Sequence, residues 1–319
     1  MLAHTSTDIP APAAPAVPVA LPPPVVEHRS VSANGIRVHL AEAGTGPLVI
    51  FLPGFGQFWS NWRHQLTGLA ASGFHAVALD LRGTGDSDKP PRGYDAFTLA
   101  ADVAGLIRAL GARRAALVGH GYGGTLAFNT AVLHPDLIDA VVAIAAPHPA
   151  RMAGLRRVLA ADRYGRLVVF ASLPFAPDRR LAAQHGAMLE RLVREQAGPD
   201  WLRSADFAAS MSAMRTALEI PGAAKGAVEM LRWVGRSPWR ADGYRHREAL
   251  ARPLIAPVLH LVGELDTFTP PAVLASAAEY CAGTYELRVV PGVGHYPAEE
   301  APAAVTDAIV EFLRRRRPG

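Results

Sequence analysis

The segment Ala115 to Gly124, Ala-Ala-Leu-Val-Gly-His-Gly-Tyr-Gly-Gly, limits what this chain can fold into more than any other stretch. A short apolar run enters a glycine cluster, and a helix-compatible apolar stretch, Thr125 to Leu133, leaves it. This is the layout of a nucleophile elbow, where a strand turns sharply into a helix and presents one side chain at the apex. Gly119 and Gly123 occupy the flanking positions, and the apex itself is Gly121. Glycine has no side chain, so Gly121 forms neither an acyl-enzyme nor an alkyl-enzyme ester. The apex of such a turn is held at φ > 0, which costs a non-glycine residue about 1–3 kcal/mol. Glycine removes that cost. Two readings stay open: a comfortable turn that has lost its chemistry, or a freed volume that holds a water or a substrate group. An engineered substitution is a third.

Around the elbow, strand and helix patterns alternate. Val31 to Ala43 alternates about Asn34-Gly35 and reads as a hairpin. Pro47 to Leu52, His75 to Leu81, Ala115 to His120, Ala140 to Ala146, Val258 to Val262 and Tyr285 to Val290 are apolar runs suited to buried parallel strands. A helix with Trp59, Trp62, Leu66 and Leu69 on one face follows the Pro53-Gly54-Phe55-Gly56 loop, and Thr98 to Leu110 is a second helix. A helix over Pro271 to Cys281 and a closing helix over Val305 to Arg316 complete the alternation. Between about His148 and Arg252 strand signals vanish, and Arg-rich helical stretches punctuated by prolines take over. Alternation of this kind gives a mostly parallel sheet with helices on both faces, and ligands sit at the carboxyl ends of its strands. Those ends carry the Pro53 loop, Asp80, Gly121, Asp266 and His295. The expected layout is an Ala/Pro-rich disordered tail over 1–27, a core over 28–147, a helical insertion over 148–252, and the rest of the core over 253–319.

The charge pattern gives no sign of a nucleic-acid partner. The formal charge is +4, and the one basic run, Arg314 to Arg317, ends the last helix, where it complements the helix dipole. Cys281 is the sole cysteine, so no internal disulfide forms, which suits a reducing cytoplasm. No apolar run approaches a membrane span, and the N-terminal stretch lacks the basic start and apolar core of a secretory signal. No His/Cys/Asp cluster has metal-ligand spacing, so no metal or cofactor is expected.

The chain resembles the α/β-hydrolase fold, and within it the epoxide hydrolase and haloalkane or fluoroacetate dehalogenase branch. The resemblance runs from about Val31 to Arg315. It rests on Phe55-Gly56-Gln57-Phe58-Trp59 with Trp62-Arg63-His64-Gln65, on Asp80-Leu81-Arg82-Gly83-Thr84-Gly85-Asp86-Ser87-Asp88-Lys89-Pro90, and on Gly119-His120-Gly121-Tyr122-Gly123-Gly124. Ala146-Pro147-His148-Pro149 resembles the start of the family's helical cap, and Gly263-Glu264-Leu265-Asp266 and Gly292-Val293-Gly294-His295-Tyr296-Pro297 resemble its acid and histidine segments. The departures are the glycine apex, Pro53-Gly54-Phe55-Gly56 in place of His-Gly-x-Pro, and Met230-Leu231 where a cap tyrosine is expected. Tyr164 and Tyr244 are the substitutes.

The resemblance implies that Asp266 orients His295, so that the pair acts as a general base, and that the amides of Phe55 and Tyr122 form the oxyanion hole. Trp59 and Trp62 are candidate substrate-binding residues. His120 is expected to point away from the crevice, His148 to act as a hinge residue, and Asp80 to order its loop. The expected ligand is a small or medium apolar molecule. The first functional reading is an enzyme using Asp266–His295 without a covalent step, by direct water attack on an epoxide, internal ring closure or lyase-type chemistry. The second is a ligand-binding pseudoenzyme. The third is an ordinary epoxide or ester hydrolase whose nucleophile is unrecognised or mutated.

Overall fold

The computed structural model describes residues 25–152 and 163–316. Eight strands form one sheet: β1 (Glu27–Ala33), β2 (Ile36–Ala43), β3 (Leu48–Leu52), β4 (His75–Leu79), β5 (Ala115–His120), β6 (Ile138–Ile144), β7 (Val258–Gly263) and β8 (Tyr285–Val290). Their spatial order is β1-β2-β4-β3-β5-β6-β7-β8. The first hairpin is antiparallel and β2 joins β4 antiparallel, while the remaining pairs are parallel. Asn34 and Gly35 both have positive φ, 46° and 77°, as a tight hairpin turn requires. The tail expected over 1–27 lies outside the described residues up to residue 24. Its boundary moves, because Glu27 already pairs with Glu42 in the sheet.

The continuous apolar runs become strands buried on both faces: β3, β5 and β7 are buried at every residue. One core layer packs α2 (Ala96–Ala109) and α3 (Tyr122–Leu133) against the sheet through Leu99, Val103, Leu126 and Phe128. The opposite layer packs α1 (Arg63–Ala71) and the closing helix Pro302–Arg314 through Leu66, Leu69, Ile309 and Phe312. The helix expected over Pro271 to Cys281 divides into a short α-helix, Pro271–Ala275, and a 3-10 turn, Ser276–Tyr280. The basic C-terminal run is tied to the chain itself: Arg315 Nη2 lies 2.8 Å from Glu286 Oε2, and Arg316 donates to Thr284.

Between β6 and β7 the described residues are helical and contain no strand. Arg163–Ser172, Ala187–Arg194, Ala205–Glu219 and Ala223–Arg236 share an apolar cluster of Leu167, Leu189, Met211, Met214 and Leu231. The insertion is fastened to α1 by a buried carboxylate. Glu299 accepts hydrogen bonds from Arg63 at 2.9 Å, from Ser210 of the insertion at 2.9 Å, and from Asn61. Its side chain is 2% exposed. Glu299→Ala strands Arg63 and Asn61 without their shared acceptor. It should destabilise the protein by about 3 kcal/mol, read as a lowered Tm and faster proteolysis between residues 149 and 249.

Candidate active site

The elbow forms where the sequence places it. Gly121 has φ 52° and ψ −116°, a backbone that L side chains rarely adopt. A Cβ on Gly123 would lie 2.0 Å from the Leu52 carbonyl oxygen, and one on Gly119 would lie 2.3 Å from the Gly123 carbonyl oxygen. Strand, turn and helix therefore approach more closely than any side chain permits, and both flanking glycines are obligatory. The apex differs. A Cβ on Gly121 would meet nothing nearer than His295 Nε2, at 3.9 Å. The space for a nucleophile is present and faces the histidine.

His295 and Asp266 meet as the strand-end spacing implies. His295 Nδ1 lies 2.9 Å from Asp266 Oδ2. The Asp266 carboxylate also accepts from the Thr269 hydroxyl at 2.6 Å and from the amides of Phe268 and Thr269 at 2.8 and 2.9 Å. With those oxygens all accepting, Nδ1 carries the imidazole proton and Nε2 turns a lone pair toward the apex. Burial opposes the carboxylate charge, but His295 beside it and the bonds from Thr269 outweigh burial and pull Asp266 down to about 2.

The backbone of His295 is held with equal care. Its N–H donates to Gln196 O of the insertion at 2.9 Å. The neighbouring amides of Gly294 and Tyr296 donate to the Glu300 carboxylate at 2.7 and 2.9 Å, and the Gly198 amide of the insertion joins them at 2.8 Å. Glu300 was not legible as a site residue. Two amides from its own segment and one from the insertion converge on it, and no motif marks them.

Tyr122 opens α3, and its amide and that of Phe55 donate to no acceptor among the described residues. They stand with the first turn of a 12-residue helix, whose N-terminal end favours negative charge. The cavity of about 50 Å³ above them is lined by Phe55, Gly121, Tyr122, Leu167, Leu231 and His295. Tyr164, Phe268, Thr269 and Tyr296 also line it. Of the two substitute tyrosines, Tyr164 therefore reaches the site, while Tyr244 is 57% exposed. Leu231 faces the cavity and Met230 is part of the core. Tyr296 is a third phenol that the cap-tyrosine argument overlooked.

Three expectations are corrected. Neither Trp59 nor Trp62 lines the cavity. They belong to a 3-10 turn, Trp59–Trp62, rather than to one continuous helix face. Trp62 is turned beneath the sheet onto Phe51, with ring centroids 5.1 Å apart, and Trp59 lies edge-on to His28 at 4.5 Å. His120, expected to face away, lines the cavity. Its Nδ1 lies 2.8 Å from Gln57 Oε1 and its Nε2 2.7 Å from the His295 carbonyl oxygen. Burial pushes His120 down to about 3, so its ring is neutral. Gly54, which stands in the departed His-Gly-x-Pro loop, leaves the space that Gln57 and His120 fill.

Asp80 orders its loop as expected, accepting from the amides of Trp59 and Asp86 at 3.0 and 2.9 Å. It also contacts His39 Nδ1 at 2.9 Å, and His39, Asp80 and Asp86 gather possible ligand atoms within 4.8 Å. That grouping joins three separate segments and leaves no spacing signal. His148 stacks on Tyr280, ring centroids 4.6 Å apart.

A family model described as the alpha/beta hydrolase fold matches residues 47–302. The chain belongs to the α/β-hydrolase family. Within the family it is epoxide hydrolase-like. It is 29% identical to epoxide hydrolase 2 of Siraitia grosvenorii, over 91% of this chain and 99% of that protein. It is also 29% identical to epoxide hydrolase A of Mycobacterium tuberculosis, over 89% and 96%. The crystal structure of epoxide hydrolase A from Mycobacterium thermoresistibile superposes with a TM-score of 0.76 at 26% identity, covering 91% of this chain and 98% of that one. An epoxide hydrolase from an endophytic Streptomyces gives 0.78 at 28% identity, over 91% and 95%. No helix among the described residues of this α/β-hydrolase is long and apolar enough to cross a membrane.

The Asp266 carboxyl titrates lower in the fold than in the unfolded chain, so its charged form stabilises the protein. That contribution, about 2 kcal/mol, is complete above pH 4 and is lost as pH falls toward 2. Urea unfolding across this range should show the decline in wild type and a flatter curve in Asp266→Asn.

Proposed function

We propose that this chain is an epoxide hydrolase-like enzyme that works without a covalent intermediate. His295, oriented by Asp266, is its general base. The observation that carries this reading is the intact Asp266–His295 bond at 2.9 Å, with Nε2 aimed at an apex that bears no side chain. A base needs its acceptor nitrogen free, its tautomer fixed and room for the group it deprotonates, and the site has all three. Nε2 takes a proton from a water or from the substrate. The Phe55 and Tyr122 amides stabilise the oxygen that stands at the apex. The phenols of Tyr164 and Tyr296, which line the cavity, can supply a proton to an oxygen leaving a carbon. Burial raises the Tyr296 phenol well above its ordinary value, so it remains a neutral donor at physiological pH. Phe55, Leu167, Leu231 and Phe268 suit a small or medium apolar substrate. Direct water attack on an epoxide, ring closure and proton-abstraction chemistry all use this base.

The alternative, a ligand-binding protein without catalysis, draws on the same glycine apex. Turnover of aryl epoxides by wild type and by His295→Ala separates the two. The catalytic reading expects His295→Ala to lose about a hundredfold or more, the ordinary contribution of a general base. Equal rates in the two proteins would exclude His295 as the base. Gly121→Ala should also lower turnover by about tenfold or more, because its methyl enters the reacting space. The same change should cost about 1–3 kcal/mol of stability from the backbone at φ 52°. A silent wild type that gains turnover on Gly121→Asp would mark a covalent hydrolase scaffold that has lost its nucleophile.

A further inference from the structure

The apex has lost more than volume. A side-chain carboxylate there would stand beside the Phe55 and Tyr122 amides and the first turn of α3, all of which favour negative charge. Those donors remain, and among the described residues no acceptor meets them. A second feature points to the same place. The His295 side chain is 94% buried, its 6% exposure facing the cavity, and Nε2 has no partner among the described residues. It is aimed at the apex from 3.9 Å beyond the position of a Gly121 Cβ. Phe55 and Tyr122, whose amides meet no acceptor among the described residues, and a buried nitrogen without a partner therefore line one space that the chain leaves unfilled.

We propose that the ligand itself brings the missing group: the substrate is a small apolar carboxylic acid, whose carboxylate occupies the space above Gly121. This rests on reading the apex as a working site and narrows its substrate class. One carboxylate oxygen accepts from the Phe55 and Tyr122 amides, and the other faces His295. The ligand enters as a carboxylate, and a proton taken from solution onto Nε2 turns the lone pair there into a donor toward it. The imidazolium is then flanked by Asp266 behind it and the ligand carboxylate in front.

The other titratable groups facing His295 are His120 from the end of β5, Tyr122 from α3, Tyr164 from the insertion, Tyr296 after β8, and the Glu300 carboxylate, which acts on His295 through space while holding the Gly294 and Tyr296 amides. His120 is neutral, as described above, and burial raises the Tyr122 and Tyr296 phenols so that both stay neutral at physiological pH. His120 and these two phenols carry no charge to the site, while Glu300, like Asp266, favours the imidazolium. The apolar remainder of the ligand lies against Leu167, Leu231 and Phe268.

If the acid also carries an epoxide, the site closes a ring. The carboxylate oxygen forms a bond to an epoxide carbon of the same molecule, the ring C–O bond breaks, and the alkoxide takes back the proton held on His295. Apart from the proton taken up on binding, no water or other co-reactant is consumed, and the product is a hydroxylactone isomeric with the protonated acid.

Isothermal titration of the full chain with phenylacetate and with its neutral isostere phenylacetamide tests the site. Phenylacetate should bind at least about tenfold tighter than the amide. In buffers of different ionisation enthalpy it should take up a proton, so its affinity falls as pH rises. Gly121→Asp, which restores a carboxylate at the apex, should weaken phenylacetate at least about tenfold. Equal binding of acid and amide, binding of neither, or undiminished binding to Gly121→Asp would overturn the proposal. If Gly121→Asp does not fold, the wild-type comparison and the proton count decide alone. His295-dependent turnover of neutral aryl epoxides without phenylacetate binding would leave the general-base reading standing and remove this one. Phenylacetate binding without turnover of any epoxide would do the reverse.

Discussion

The contact between the Leu52 carbonyl and the backbone of Gly123 sets most of what this molecule can do. It lets α3 begin directly against the end of β3, nearer than any Cβ would allow. The helix N-terminus is thereby placed beside the Phe55 loop, and Phe55 and Tyr122 line the same cavity. The turn that links strand to helix is forced into a left-handed backbone, so the apex points to the histidine whatever residue occupies it. The chain keeps this costly geometry although its apex carries no reactive atom. Glycine makes the apex conformation cheap, yet the close packing of Gly119, Gly123 and Gly124 still has to be maintained, and it is.

The second constraint is electrostatic. A buried carboxylate is stable only when its oxygens are occupied. Asp266 meets that requirement with His295, a hydroxyl and two amides, and Glu299 and Glu300 meet it with donors drawn from several segments. These three acids do different work with the same physics. Asp266 fixes a tautomer. Glu299 joins the insertion to α1. Glu300 gathers the amides on either side of His295.

The fold was legible because apolar runs, glycine turns and the order of strand ends are local signals. The hairpin at Asn34-Gly35, the elbow and the Asp266–His295 pair all appear where local sequence places them. What was not legible depends on where side chains go after assembly. Trp59 and Trp62 share a helical spacing in the sequence, but a 3-10 turn sends one beneath the sheet and the other to its edge. His120 sits one residue before the apex and was expected to face away. The twist into the elbow instead brings its ring against His295. Glu300 was invisible because its partners are backbone amides, which no sequence position advertises. Tyr164 and Tyr244 looked equivalent as residues, and only the path of the insertion distinguishes them.

The same backbone bonds make the insertion and the histidine one mechanical unit. Gln196 O holds the His295 amide, and the Gly198 amide shares the Glu300 carboxylate with Gly294 and Tyr296. Swinging residues 196–198 away to admit a ligand would release the peptide that carries the imidazole. The insertion thus braces the backbone on either side of His295, while Asp266 aims its ring.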